Sequence, residues 1–116
     1  MEPRHDGALL LVFTNPVAGQ EDEFNRVYDE SHLPEVLATP GIRAGQRYRR
    51  RTDDRLPPGA QEYLAVYEIE GDPEEFLAAM VEAATRGDAT PFPANDRSTM
   101  ALAIWEPMGP RREAGA

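Results

Sequence analysis

The stretch "EFNRVYDESHLPEVLATPGI", residues 23–42, decides how the chain folds. Acidic Glu21, Asp22 and Glu23 fill a first helical turn, where the macrodipole favours negative charge. Phe24, Val27, Tyr28 and Ser31 then recur at i, i+3, i+4 and i+7, so the spacing predicts a helix over 21–33 with one face toward a sheet. Pro34 has no amide to donate to the carbonyl of Glu30 and crowds it, so the helix is expected to kink or restart there. A further turn through Leu37 runs into "TPG", a turn signal.

Working outward, "ALLLVFT" (8–14) reads as the first strand, closed by "NPVAG". Residues 42–51 and 61–70 read as a second and third strand joined through "TDDRLPPGA". Asp72 is a cap candidate and Pro73 suits a first helical position. The helix that follows is expected to bury Phe76, Leu77, Met80 and Ala84 and to stop at Gly87. A loop with two prolines, "DATPFPANDRS", leads to the last strand, "TMALAIWEP". The whole is one domain, 1–116, with its core over about 7–108 and flexible tails at 1–6 and 109–116.

The order β-α-β-β-α-β defines an α+β, ferredoxin-like fold: a four-stranded antiparallel sheet with two main helices on one face. Such a sheet has one uncovered face, yet both faces are apolar. Ala8, Leu10 and Val12 oppose Leu9, Leu11 and Phe13 in the first strand, and Met100, Leu102 and Ile104 oppose Ala101, Ala103 and Trp105 in the last. A second copy packed sheet against sheet is the economical cover, so a homodimer is expected.

Composition narrows the chemistry. The chain has no cysteine, which excludes disulfides, thiolate nucleophiles and Cys-ligated metals. It has no lysine either, since all 12 basic residues are arginine, and this excludes Schiff-base chemistry. No Gly-rich phosphate or dinucleotide fingerprint follows a strand. A net charge of −9 argues against nucleic acid and anionic membranes as partners. The local basic run "RYRRRTDDR" (47–55) contains Asp53 and Asp54 and reads as a solvated strand end. With neither a long apolar segment nor a signal-like N-terminus, the expected location is the cytoplasm.

An aromatic residue followed four positions later by His-x-Pro, then a Pro-Gly turn into a strand, resembles the EthD-like branch of the dimeric α/β-barrel superfamily. The matching residues are Tyr28, His32, Pro34, Pro40 and Gly41, with Phe24 one turn earlier. The resemblance implies a pocket between sheet and helices for a planar organic molecule. It implies a cofactor-independent enzyme acting by proton transfer on an aromatic, polyketide-like or lactone substrate, as cyclase, isomerase or dehydratase. The alternatives are a cofactor-free monooxygenase of the same fold and a non-catalytic small-molecule-binding dimer. Haem-degrading relatives resemble one another in an Asn, Trp and His constellation. Here Asn15, Trp105 and His32 are present, but His32 lies on the first helix rather than the second, so neither haem nor another cofactor is expected.

Carried over, His32 takes the acid/base role and Tyr28 serves as pocket wall or hydrogen-bond partner. The residues themselves allow this: an imidazole near neutral pH can take and return a proton, and Tyr28 stands one helical turn before it. Asp29, at i−3, can accept from the ring and raise its pKa, as the helix C-terminus would. A histidine capping a last helical turn before a proline explains the same residues without chemistry. Asp29, His32 and Glu35 also run at i, i+3, i+6, but with one histidine and Pro34 between them no metal site is expected. Phe24, Gln46, Tyr48, Tyr63, Tyr67, Phe92 and Trp105 are the candidate substrate-binding residues, with the loop bearing Phe92, Asn95 and Asp96 expected over the pocket mouth. His5 is expected to be exposed.

Overall fold

The computed structural model describes residues 7–87 and 89–115, so His5 and the 1–6 tail lie outside the described residues. Strand β1 spans Leu9–Thr14, β2 Ile42–Arg49, β3 Tyr63–Ile69 and β4 Ala101–Trp105. Helix α1 covers Glu21–Val27, a π-helical turn Tyr28–His32 continues it, and α2 (Leu33–Leu37) completes a single run. Helix α3 spans Pro73–Arg86. The sheet order is β2-β3-β1-β4 with every neighbouring pair antiparallel. This is the ferredoxin-like α+β arrangement that the order of elements predicts.

Alternation in β1 and β3 sets the core. Leu10 and Val12 of β1 are buried with Tyr63, Ala65, Tyr67 and Ile69 of β3, and the register pairs Leu10 with Tyr67 and Val12 with Ala65. Helices supply Phe24, Tyr28 and Phe76 to the same side. Each fully buried side chain of this size contributes roughly 1.5–3 kcal/mol, so these few residues carry much of the fold. Helix α3 is capped as its sequence predicts: the Asp72 side chain accepts from the Glu74 amide, Pro73 opens the first turn and Gly87 closes it at φ 69°. Its buried stripe differs from the expected one. Phe76 is buried and Ala79, Met80 and Ala83 are half-buried, whereas Leu77 and Ala84 are exposed. The inward face therefore runs 76, 79/80, 83, about a quarter turn from the one predicted. Val81 joins Leu77 on the outer side.

Two further features bear on the site. The helical run restarts as α2 with Pro34 in its first turn, after the turn before it widens, as described below. In β2 the pairing jumps between Ile42 and Ala44, opposite Ile69 and Glu68. The extra residue, Arg43, is a β-bulge that changes which later side chains face the helices. Downstream of it Gly45 pairs with Tyr67, Arg47 with Ala65 and Arg49 with Tyr63, all on the helix side. Gln46 and Tyr48 share the opposite face.

That opposite face carries Leu9, Leu11, Phe13, Leu64 and Val66, half-buried, together with Trp105 at 55% exposure. No described helix is long and apolar enough to cross a membrane. Residues 106–115 are exposed and carry no strand or helix.

Gly45 makes the close approach of β2 to the core possible. A Cβ there would lie 2.7 Å from Cδ1 of Tyr67 and 3.2 Å from Cδ2 of Leu37. Tyr67 is fully enclosed and cannot yield. Gly45→Ala is therefore expected to lower unfolding stability by about 1–3 kcal/mol through overpacking, read as a lower urea midpoint with an unchanged m-value.

Candidate functional site

The site begins with a missing hydrogen bond. In a regular α-helix the amide at position 34 would donate to Glu30, but proline has none and its ring presses on that carbonyl. The chain responds by opening one turn to i→i+5 pairing, with the Leu33 N–H donating to the Tyr28 carbonyl. Such π-turns concentrate at functional sites. Here the turn holds Tyr28, Asp29, Glu30, Ser31 and His32.

The rings of Tyr28 and His32 meet edge to face, with centroids 4.8 Å apart and planes at 83°. Phe92 closes the other side of the imidazole at 5.4 Å, while also stacking on Phe24 at 5.4 Å and 22°. Phe92 reaches this position because its loop is stitched down on both flanks. The Val17 amide donates to Ala94 O at 2.7 Å, Asp96 N donates to Asn15 O at 2.9 Å, and Thr90 donates through both amide and hydroxyl to the Glu35 carboxylate. The loop lies over the cluster through Phe92, while Asn95 and Asp96 are engaged in the loop itself.

Beneath the turn, Tyr28 and Tyr67 bring their hydroxyls within 3.5 Å, and both are 1% exposed. Burial pushes both phenols above their ordinary pKa, so they stay protonated at neutral pH. Tyr63 completes the aromatic wall beside Phe24; its hydroxyl donates to Glu21 and accepts from Asn25 Nδ2.

Arg47 is the residue that sequence reading missed. Its guanidinium lies 4.3 Å from the Tyr28 ring centre, donates to Asp29 Oδ1 at 2.8 Å and to Asn25 Oδ1 at 2.8 Å, and its side chain is 14% exposed. The basic run was read as a solvated strand end. That holds for Arg51 and Arg55, which pair with Asp53. It fails for Arg47, which the bulge turns inward over the small Ala65. The alternation Tyr63, Ala65, Tyr67 signals a gap at Ala65, but nothing in the sequence states which β2 residue fills it.

Asp29 therefore engages Arg47 and does not orient the imidazole. Among the described residues the His32 ring has no hydrogen-bond partner. Its pKa is lowered, not raised as a carboxylate neighbour or helix end would have it: burial dominates, Glu35 opposes it and the Arg47 charge adds to it. Among the described residues no three His, Asp or Glu side chains gather as a metal site.

Of the expected site residues, Phe24, Tyr28, Asp29, His32, Tyr63, Tyr67 and Phe92 come together. Gln46, Tyr48 and Trp105 lie on the far sheet face, and the Tyr48 hydroxyl donates to Gln46.

No protein-family model matches the chain, and no curated protein matches it in sequence. Three solved structures are similar. One is a provisionally assigned monooxygenase from Shewanella loihica PV-4, with a TM-score of 0.60 and 10% identity over 93% of this chain and 100% of that one. Another is the haem degrader MhuD from Mycobacterium tuberculosis with two haems in its active site, with a TM-score of 0.58 and 18% identity over 90% of this chain and 99% of that one. The third is a single-residue variant of MhuD with two manganese protoporphyrins per active site, with a TM-score of 0.60 and 18% identity over 91% and 99%. Identities this low establish a shared ferredoxin-like fold and leave the chemistry to the site.

The residues here do not fit a haem held by an Asn, Trp and His trio. Asn15 follows the end of β1 and is occupied by Ala60 O and the Glu62 amide. Trp105 pairs with Leu9 at the other end of β1, on the face away from His32.

The lowered pKa carries a sign. The unfolded chain binds a proton at His32 in the window below the ordinary value of 6.5, where the folded protein does not. Stability from the neutral, enclosed imidazole is present above that value and lost as pH falls through the lower folded pKa. Thermal unfolding followed from pH 8 to 5 should show Tm falling less in His32→Gln than in the parent, and NMR should place the His32 titration below that of a free histidine.

Proposed function

We propose that this protein is a small-molecule enzyme that moves a proton on a phenolic, polyketide-like or lactone substrate, with His32 as general base. The observation that carries this is the state of the imidazole: neutral at pH 7, enclosed by Tyr28 and Phe92, and without a hydrogen-bond partner among the described residues. A neutral imidazole can accept a proton from an enolisable carbon or a phenol. The desolvation that lowers its pKa also destabilises the imidazolium, so the proton is readily returned at another position, as an isomerase, cyclase or dehydratase requires. Aromatic surroundings suit a flat substrate. The site thus supports a role for His32 beyond capping a helix, since the chain continues helically through α2 to Leu37.

A second reading is a cofactor-free monooxygenase, favoured by the structural likeness to a provisionally assigned monooxygenase. The first step is common to both, His32 deprotonating the substrate; in the oxygenase the resulting carbanion then meets dioxygen. Placement in the EthD-like branch and action in the cytoplasm are part of this proposal, as is a homodimer closed by the apolar sheet face.

A panel of phenols and lactones assayed with and without oxygen tests the reading. His32→Gln should cost at least about 10²-fold in turnover while ligand affinity stays within about threefold. Oxygen uptake that tracks turnover selects the monooxygenase, and undiminished turnover in His32→Gln sinks the general base. A binding protein without catalysis would show ligand affinity and no product in the parent. For the dimer, sedimentation should give two copies for the parent and one for Trp105→Asp, which places a charge on the apolar sheet face.

A further inference from the structure

Strand β2 is an edge strand, and a solvent-open cleft of about 390 Å³ lies along it, lined by Asn25, Arg47, Arg49 and Tyr63 on the helix side and bordered by Tyr48, whose side chain belongs to the other sheet face. The cations in it differ sharply. Arg47 is neutralised by Asp29, held by Asn25 and stacked on Tyr28. The side chain of Arg49, two residues on and on the same face, has no hydrogen bond or ion pair among the described residues. Its neighbours in the basic run are all engaged: Arg43 lies 3.9 Å from Glu68, Arg50 donates to Gln61 O at 3.0 Å, and Arg51 and Arg55 share Asp53. In a chain of net charge −9, a guanidinium without a side-chain partner among the described residues thus stands at the cleft, and arginine suits planar anions.

We propose that the β2 cleft binds small organic monocarboxylates, with the Arg49 guanidinium gripping the carboxylate and the Tyr63 wall meeting an apolar or aromatic body. Local charge selects the ligand class. Glu21, which accepts from the Tyr63 hydroxyl, and Asp29, which pairs with Arg47, flank the cleft with two negative charges. With Arg47 and Arg49 these four charges sum to about zero, so a monocarboxylate that pairs with Arg49 is accommodated while a phosphate dianion is unfavourable. The planar fork of arginine matches the two oxygens of a carboxylate. Arg47 and the Asn25 side-chain amide, locked to each other, supply a fixed polar wall that is already organised before binding.

The site stands independently of the proton-transfer reading, and variants keep the two apart. Titrating the full-length protein with benzoate at low ionic strength, followed by calorimetry and amide NMR, should give saturable binding with shifts confined to residues around 25, 47–49 and 63. Arg49→Gln should weaken it at least about tenfold, as expected for loss of a charge-assisted contact, with an unchanged circular dichroism spectrum because the side chain is exposed. Arg49→Lys should fall between, keeping charge without the fork. His32→Gln should bind as the parent does, and added salt should weaken binding. No saturable binding, equal binding by Arg49→Gln, or inorganic phosphate binding more tightly than benzoate overturns the assignment.

Discussion

The Arg47 guanidinium over the Tyr28 ring ties together everything on the helix side of the sheet. One cation spans the edge strand and the helical run, touching an aromatic face at 4.3 Å, a carboxylate and an amide at once. A partly desolvated cation–π contact contributes on the order of 1–2 kcal/mol, and the ion pair avoids the larger cost of burying an unpaired charge. Tyr28 is thereby fixed between Arg47 above and Tyr67 beside it, and His32, edge-on to Tyr28, inherits that fixed position. The π-turn is what lets these groups coexist. Pro34 removes one amide, the turn widens by one residue, and Asp29 can reach β2 while His32 meets the loop at Phe92.

Much of the architecture was legible because local chemistry agreed with tertiary need. Alternation in "ALLLVFT" and "YLAVYEI" sorts each strand into two rows, and the observed burial follows the same rows. Asp72, Pro73 and Gly87 mark helix ends through interactions that operate within a few residues. The cluster around Tyr28 and His32 was legible for the same reason, being nearly contiguous. Arg47 was not, because its burial depends on register across two strands and on where β2 takes up an extra residue. Gln46 and Tyr48 share a face, as alternation requires, but which face is a long-range fact. The α3 stripe was misjudged at Leu77 and Ala84 because a helix rich in alanine offers two nearly equivalent apolar faces and packing chooses one.

The likeness to a monooxygenase and to a haem degrader shows how little the fold constrains chemistry. The backbone is shared at TM-scores near 0.6, yet Asn15 follows the end of β1, Trp105 on β4 pairs with the start of β1, and His32 lies on the opposite side of the sheet from Trp105. What the chain offers on its helix side is a neutral imidazole in an aromatic setting and, along the edge strand, a cleft with arginine character. The other sheet face is apolar and chemically quiet. The division of labour between the faces follows from β2, whose inward residues past the bulge are glycine and arginine and whose outward residues are alanine, glutamine and tyrosine.

The bulge at Arg43 also bears on ancestry. Because that strand carries one residue more than its pairing needs, losing it would leave every downstream partner in place, with Arg47 still opposite Ala65. A gene shortened by one codon there would encode the same inward surface at a spacing reduced by one from the helical histidine. Relatives on either side of such an event would look out of phase when aligned by sequence and coincide when superposed. Searching for kin of this chain is thus better done by strand pairing than by fixed distance along the polypeptide.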